Sequence, residues 1–295
     1  DSQLITIDGK VMAVAFMANT QHLYVRTDVL KDNGIAIPKT YEEVVAASEK
    51  IRAAGKMKYP YAAAYKAGWN LAEEFVNMYI GHGGEFFESG SAKPSVNNAK
   101  GVATLNMLKK LADLSNPDYL THDSEAIKVE WEAGNVAIMT LWASRSGTLL
   151  DDEGDAKITA ATKLVAPATV GGGNIPAATL WWDGFTLAKN RSDADAEASF
   201  RSMAHAASSK EMVAKASDQA VWLVEGFVPG PKSVGVIEAV KMGAKPYPML
   251  PQMGLMHGAL GSEIVEFLQG NESAEQALKD VEAAYMTKAK EQGFL

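Results

Sequence analysis

Two adjacent tryptophans lie in the segment TLWWDGF at residues 179–185, although the chain contains only 6 tryptophans. In a β-strand, neighbouring side chains point to opposite faces, so the rings of Trp181 and Trp182 cannot enter the same core. The ring left outside has a carboxylate, Asp183, and a flexible glycine, Gly184, beside it. We favour Trp182 as this outward ring because it adjoins both residues, and the reverse orientation stays open. The segment indicates a surface that binds something flat and hydroxylated.

Two other segments place a tryptophan beside a polar residue at the end of a predicted element. Trp69 and Asn70 come just before a predicted helix, and Trp142 ends a predicted strand, with Arg145 three residues later. A sugar ring offers C–H groups on its face and hydroxyls at its edge. Aromatic rings suit the first, and charged or amide groups suit the second. The sequence therefore predicts a saccharide site, and Arg145 leaves an anionic sugar open.

The remaining polar residues argue against catalysis and metal binding. Glu73 and Glu74 are adjacent, and neighbours on a helix point about 100° apart, which favours a solvated first turn over acid–base work. The chain has no cysteine, and its 5 histidines show no metal-ligand spacing, so we predict neither a metal nor another cofactor. A glycoside hydrolase is the alternative function, but that chemistry needs two carboxylates across the scissile bond. Only Asp183 is a persuasive cleft carboxylate.

Composition narrows the class of partner. The chain has 295 residues, of which 47% are hydrophobic and 22% charged, as in ordinary globular proteins. The net charge of −8 disfavours nucleic acid as the main partner, because phosphate contacts require a basic face. No apolar run approaches the ~18 residues that a membrane-spanning helix needs.

Alternating strand and helix patterns predict an α/β protein. Asp8 and Gly9 indicate a hairpin turn between two short strands. Two helices carry start signals: Thr40 with Glu43, where Gly55 then ends the helix, and Ser273 with Gln276 before the C-terminal helix. Short segments rich in turn residues mark candidate domain boundaries at Phe16–Gln21, Asp183–Lys189 and Glu225–Pro231.

The order of these segments resembles that of the sugar-type solute-binding proteins of ABC importers, of the maltose-binding type. Residues 8–51 are similar to the first crossing between lobes and the capped helix after it. Residues 130–146, EWEAGNVAIMTLWASRS, resemble the helix, glycine turn, strand and exposed aromatic of lobe 2. Residues 250–285 look like the closing helices. In that family further βαβ units of lobe 1 precede the segment with which this chain begins, so the first part of lobe 1 is expected to be missing.

The resemblance implies a two-lobed periplasmic-binding-protein fold of type II, with lobes joined by hinge crossings. It implies these parts: residues 1–18, the end of lobe 1 and the first crossing; 19–182, lobe 2; 183–228, lobe 1 helices; 229–295, closing helices, mainly of lobe 2. It also implies that Asn19 makes a polar sugar contact in the first crossing. His257 lies where the family carries a ring-stacking aromatic, but its ring is smaller and polar, and a lone histidine is more often a satisfied structural group. Glu225–Phe227 form the third crossing.

The implied function is capture of a mono- to oligosaccharide between two lobes and its delivery to the permease of an ABC transporter. Such a receptor breaks no bond, so we predict that the protein is not an enzyme. The resemblance implies a monomer in the periplasm or outside the cell, with or without a lipid tether. Hinge closure would follow from contacts that the ligand makes only in the closed state.

Overall fold

The computed structural model describes residues 6–7, 9–151 and 154–295. The strands are β1 Thr6–Ile7, β2 Lys10–Val11, β3 Val14–Asn19, β4 Gln21–Arg26, β5 Tyr61–Ala62, β6 Ile138–Trp142, β7 Thr162–Val165, β8 Thr179–Phe185, β9 Val221–Trp222 and β10 Lys245–Pro246. The helices are α1 Thr27–Asp32, α2 Tyr41–Ala53, α3 Trp69–Gly81, α4 Ala99–Ala112, α5 Ser124–Glu132, α6 Ser146–Leu149, α7 Ala156–Ala161, α8 Asp193–Ser208, α9 Lys210–Lys215, α10 Val234–Lys241, α11 Met253–Glu263, α12 Val265–Gln269 and α13 Ala274–Glu291. Short 3-10 helices lie at Tyr119–Thr121, Ala143–Arg145 and Pro231–Ser233.

Two four-stranded sheets organise the chain, one in the order β5-β6-β4-β7 and the other in the order β10-β8-β3-β9. β3 ends at Asn19 and β4 begins at Gln21, so the chain passes between the sheets at Thr20. It returns between the end of β7 at Val165 and the start of β8 at Thr179. The Oγ1 of Thr20 donates a 2.8 Å hydrogen bond to the backbone carbonyl of Thr179. The two passages between the sheets are therefore tied side by side.

The main core lies around the sheet of β4, whose six residues are all buried. α3 is buried continuously from Leu71 to Gly81, as expected of a helix that is covered by other elements on all sides. Phe75 of α3, Leu108 of α4, Leu260 of α11 and Tyr285 of α13 belong to one apolar cluster. The C-terminal helices thus pack onto the helix that begins with Trp69.

Both predicted helix starts are confirmed. The Oγ1 of Thr40 accepts a 3.1 Å hydrogen bond from the backbone N–H of Glu43, and α2 follows directly. The Oγ of Ser273 accepts one of 3.2 Å from the N–H of Gln276 at the start of α13. Such bonds satisfy backbone donors that lack a partner within the helix.

The predicted boundaries have different outcomes. Phe16–Gln21 contains the passage at Thr20. The boundary predicted at Asp183 falls inside β8, because residues 181–185 of that strand pair antiparallel with β3; the chain therefore changes sheets before this strand and not after it. Glu225–Pro231 follows β9 and leads into a 3-10 helix. The assignment of whole segments to lobes stays a prediction.

The structure contains an antiparallel pair of short strands near the start of the chain, where the sequence predicts a hairpin. Asp8 lies outside the described residues, but the strands that flank it pair antiparallel, with Thr6 opposite Val11, and Gly9 has a φ of 73°. Among the described residues, no helix combines the length and the apolar character that crossing a membrane would require.

Candidate functional site

Three tryptophans from separate parts of the chain meet at one place. The ring centroids of Trp69 and Trp142 lie 6.3 Å apart, those of Trp69 and Trp181 5.9 Å, and those of Trp142 and Trp181 6.1 Å. Tyr247 lies 4.4 Å from Trp181, and His257 lies 5.0 Å from Trp69. We call these five residues the aromatic cluster. It joins the start of α3, the end of β6, the middle of β8, the segment after β10, and α11.

Trp69 presents the most accessible ring of this cluster, with 51% of its surface exposed. It begins α3 directly after Gly68, whose φ of 95° favours glycine. The backbone N–H of Gly68 donates a 2.9 Å hydrogen bond to the carbonyl of Gly261 on α11. A β-carbon on Gly261 would come within 2.3 Å of the carbonyl oxygen of Gly68. Two glycines therefore allow the backbone contact that fixes the start of α3 and the position of Trp69.

His257 supports Trp69 and does not offer an open face to a ligand. Its Nε2 donates a 2.9 Å hydrogen bond to the backbone carbonyl of Trp69, so the Nδ1 accepts the one of 2.9 Å from the hydroxyl of Tyr247. The side chain is buried, with 4% of its surface exposed, and this burial lowers its pKa. Of the two interpretations of His257, the structure favours the structural group over the ring-stacking contact, because neighbouring side chains cover the ring.

Trp181, and not Trp182, belongs to the aromatic cluster. Its indole Nε1 lies 2.8 Å from the Oγ1 of Thr179 and 3.1 Å from the Oε1 of Glu73. Trp182 points to the other face of β8, where a β-carbon at Gly184 would come within 2.6 Å of the Trp182 ring. The preference for Trp182 is thus overturned, since only the opposite face of the strand is turned towards α3 and β6. Gly184 provides room for the Trp182 ring.

Glu73 and Glu74 are buried, which contradicts the prediction of a solvated first turn. The first turns of α3 face two elements. Glu73 lies against Thr179 of β8, and Glu74 lies against Gln21, which follows the passage at Thr20. The two carboxyls therefore lie inside the protein. Burial raises the pKa of each to about 8. The Oε1 of Glu73 accepts hydrogen bonds from Thr179 and Trp181.

The other predicted residues lie at the edge of the cluster or support it. Asn19 is buried; its Nδ2 donates a 3.1 Å bond to the Oγ of Ser144, and its Oδ1 accepts one of 3.2 Å from the N–H of Ser144. It therefore holds the segment that follows Trp142. Asn70 is half-buried in the first turn of α3.

The two charged candidates, Arg145 and Asp183, differ in whether their charge is already paired with another side chain. Arg145 forms an ion pair with Glu125 in the first turn of α5. Asp183 is exposed, and strand alternation puts it on the same face of β8 as Trp181. Partial desolvation raises the pKa of the Asp183 carboxyl. The guanidinium of Arg145 is already paired. The carboxylate of Asp183 is therefore the better placed of the two charged groups to bind a ligand beside the cluster.

Tyr247 was missed by sequence reasoning, and Glu73 was assigned to solvent. Tyr247 reaches Trp181 because β10 pairs parallel with β8, with Pro246 opposite Leu180. That pairing joins residues that are distant in sequence. Because β10 has only two residues, no local sequence pattern predicts the pairing. The signal available for Glu73 was its spacing of four residues from both Trp69 and Asn77, which places all three on one helix face.

The geometry of the cluster suits a ligand with apolar faces and a polar rim. The three indole rings are inclined to one another by 32°, 57° and 80°, so they form walls and not a stack. Hydrogen bonds hold Trp69 and Trp181 in place. Asn70 follows Trp69 in α3, and Asp183 is on the Trp181 face of β8. A rigid aromatic site of this kind can bind the C–H faces of small hydroxylated molecules.

Two sheets joined by adjacent passages, with an aromatic site beside those passages, define a binding protein of the two-lobed α/β class. The chain belongs to the family of bacterial extracellular solute-binding proteins, whose model matches residues 1–246. The resemblance stated from the segment order is thereby confirmed at the level of the family.

A curated relative is also a transporter-binding protein. A probable ABC transporter-binding protein of Deinococcus radiodurans is 32% identical over 193 residues, which cover 63% of this chain and 44% of that protein. The match thus spans less than half of that relative's length.

Solved structures share the fold. The maltose-bound MalE3 of T. maritima has a TM-score of 0.82 at 19% identity, over 97% of this chain and 76% of that one. A ribitol complex of an ABC transporter solute-binding protein from Agrobacterium radiobacter K84 has a TM-score of 0.79 at 20% identity, over 95% and 72%. The predicted α/β fold of the periplasmic-binding-protein type is confirmed.

Proposed function

We propose that this protein is the solute-binding receptor of an ABC transporter and captures a mono- to oligosaccharide or a related polyol. The observation that carries the proposal is the meeting of Trp69, Trp142 and Trp181 beside the two passages between the sheets. Rings held from three elements form a rigid surface for sugar C–H groups. The family and the polyol- and maltose-bound structures of similar fold support this ligand class.

The partners follow from the same proposal. The receptor works as a monomer in the periplasm or outside the cell, with or without a lipid tether, and delivers its ligand to the permease subunits. Nucleic acid is not a partner, in keeping with the net charge of −8.

A binding role also accounts better for the carboxyls than the alternative of a glycoside hydrolase. Hydrolysis requires two carboxyls that reach opposite sides of the scissile bond. Glu73 has 0% of its surface exposed and its Oε1 faces Trp181 and Thr179, so it cannot protonate a glycosidic oxygen. Of Glu73, Glu74 and Asp183, only Asp183 is exposed. We therefore propose that the protein releases its ligand unchanged.

The test is calorimetric titration with maltose, maltotriose, ribitol and D-mannitol, followed by mass spectrometry of the released compound. We expect saturable binding of at least one compound and its recovery intact. Glucose and leucine serve as a small-sugar comparison and a non-sugar control. Binding of leucine in preference to the four compounds would contradict the proposed ligand class, and cleavage of maltotriose would establish the hydrolase instead.

A further inference from the structure

A buried carboxyl lies directly behind one wall of the aromatic cluster. Glu73 is in the first turns of α3, four residues after Trp69, and is fully buried. Its Oε1 accepts a 2.8 Å hydrogen bond from the Oγ1 of Thr179 and one of 3.1 Å from the Nε1 of Trp181. Both partners are on β8, so this single oxygen links α3 to the strand that carries Trp181.

Asn77, one turn further along α3, fixes the same strand. Its Oδ1 accepts a 2.7 Å hydrogen bond from the backbone N–H of Thr179, and its Nδ2 donates one of 3.1 Å to the Oε1 of Gln21. Gln21 begins β4 immediately after the passage at Thr20. The face of α3 that carries Glu73 and Asn77 therefore holds both passages between the sheets and the indole of Trp181.

We propose that Glu73 is a positioning residue of the sugar site: its carboxyl, which does not touch the ligand, holds the Trp181 ring in place, so that sugar capture depends on its protonation. This inference rests on the proposed function and deepens it. The neutral carboxyl satisfies the indole through its carbonyl oxygen.

The surroundings of Glu73 favour the neutral form. Its Oε2 is buried and has no hydrogen-bond partner, and the desolvation raises the pKa of Glu73 to about 8. Glu74 is the neighbouring titratable group on α3, and the charge of Glu73 contributes to raising its pKa. From the segment after β10, Tyr247 has its pKa raised by burial and by the Glu73 charge. His257 of α11 contacts Tyr247 and Trp69.

Ionisation of Glu73 disturbs the site because the charge meets no cation. Among the described residues, no ion pair involves Glu73, and the groups that favour its charged form are the neutral side chains of Thr179, Trp181 and Asn77. A bare carboxylate oxygen in a dry site must acquire water or turn towards it. Either change moves the acceptor that orients Trp181. A sugar that prefers the undisturbed cluster therefore binds the neutral form more tightly, and affinity falls as pH rises through about 8.

The test uses the indole N–H signals of the full chain by ¹⁵N NMR between pH 6 and 10, with Trp181→Phe to assign the signal of Trp181. Binding of maltose, ribitol and D-mannitol is measured over the same range. Three variants are compared: Glu73→Gln, which keeps the acceptor but does not ionise; Glu73→Met, which removes the acceptor at similar volume; and Glu74→Gln, which is the matched control.

In the wild type we expect the Trp181 indole signal to titrate and affinity to fall above pH 8, by at most about tenfold per pH unit because one proton is linked. Glu73→Gln should abolish both dependences while keeping the affinity measured at pH 6.5. Glu73→Met should bind about tenfold more weakly than the wild type at pH 6.5 and show no further fall above pH 8, because the Trp181 N–H then keeps only the Oγ1 of Thr179 as its acceptor. Glu74→Gln should retain a titrating Trp181 signal.

An unchanged pH dependence in Glu73→Gln, or wild-type affinity in Glu73→Met, would overturn the proposal. If Glu73→Met does not fold, the indole titration in Glu73→Gln still decides. If none of the three compounds binds, the proposed function is contradicted for them, whereas the indole titration in the ligand-free protein separately decides whether Glu73 controls Trp181.

Discussion

His257 on α11 donates a 2.9 Å hydrogen bond from its Nε2 to the backbone carbonyl of Trp69, the first residue of α3. The acceptor at Nδ1 is occupied by the hydroxyl of Tyr247. One buried ring thus ties together two members of the aromatic cluster that lie far apart in the chain. The exposed indole of Trp69 owes its place to this contact and to the close approach of Gly68 and Gly261.

Removal of the His257 ring is therefore expected to affect both stability and binding. His257→Ala leaves the Tyr247 hydroxyl without its buried partner and should lower the free energy of unfolding by about 1–3 kcal/mol. Maltose or polyol binding should weaken because Trp69 loses its support. Urea denaturation and calorimetry measure the two effects. His205→Ala, at an exposed site of α8, is the control and should change neither; equal behaviour of the two variants would contradict the role of His257.

The two adjacent tryptophans should separate clearly by mutation. Trp181→Ala removes a wall of the aromatic cluster and should weaken sugar binding by about 1–3 kcal/mol, on the scale of a truncated aromatic contact. Trp182→Ala removes a ring from the opposite face of β8. The dissociation constant should stay within about threefold of the wild-type value, because the Trp182 ring packs beside Gly184 and away from the aromatic cluster. Calorimetry with maltose, ribitol and D-mannitol measures both. Stronger loss in Trp182→Ala would reverse the assignment of the two faces.

The buried carboxyls should make the fold less stable as pH rises. In the folded protein the pKa of Glu73 is about 8, against about 4.3 for an unfolded glutamate. Between these values the folded state holds more protons than the unfolded state, so stability falls with rising pH, by at most about 1.4 kcal/mol per pH unit and proton. Below the lower value the term is constant.

Replacement by glutamine tests this dependence. Glu73→Gln should lose one proton's share of the decline in the free energy of unfolding between pH 5 and 8, measured by urea denaturation at each pH. Glu74→Gln should do the same, and in Glu73→Gln the pKa of the remaining Glu74 should fall because the Glu73 charge that helps to raise it is gone. A wild-type slope in both variants would show that neither carboxyl is protonated in the folded protein.

Gly235 on α10 should not tolerate a β-carbon. That atom would come within 1.9 Å of the Cδ2 of His22, whose ring is stacked on Tyr24 at 4.5 Å and cannot withdraw. Gly235→Ala should therefore destabilise the protein by about 1–3 kcal/mol, the usual cost of overpacking. Gly258→Ala on α11 is the matched control, because its β-carbon meets no atom within 4 Å. That variant should gain up to about 1 kcal/mol, and thermal unfolding distinguishes the two.

Closure of the two lobes on a bound ligand stays a prediction, and small-angle scattering can test it. Thr20 and Thr179 hold the two passages together, and the cluster lies beside them. A ligand that gains contacts only in the closed form must shift the population towards it, by a few kcal/mol of differential binding. We expect the radius of gyration to decrease at saturating sugar in small-angle scattering. An unchanged radius would leave a rigid binding protein.

The sequence by itself determined the local elements and the family. Thr40 and Ser273 start helices where their spacing predicts, because a cap depends only on residues within one turn. The order of segments was sufficient for the family resemblance. Trp69 and Trp142 were each named as ligand candidates, since the ends of helices and strands leave large rings without local cover. The structure brings the two rings to 6.3 Å, and their role in binding stays a prediction.

Only the tertiary structure decided which rings and carboxyls face which surroundings. Strand alternation states that Trp181 and Trp182 point apart, but the covered face depends on α3 and β6, far away in the chain. The same holds for Glu73, which a helix pattern assigns to solvent until β8 is packed over it, and for Tyr247, which reaches Trp181 through the pairing of β10 with β8. Burial is a property of distant neighbours, and nothing within a few residues of these side chains encodes those neighbours.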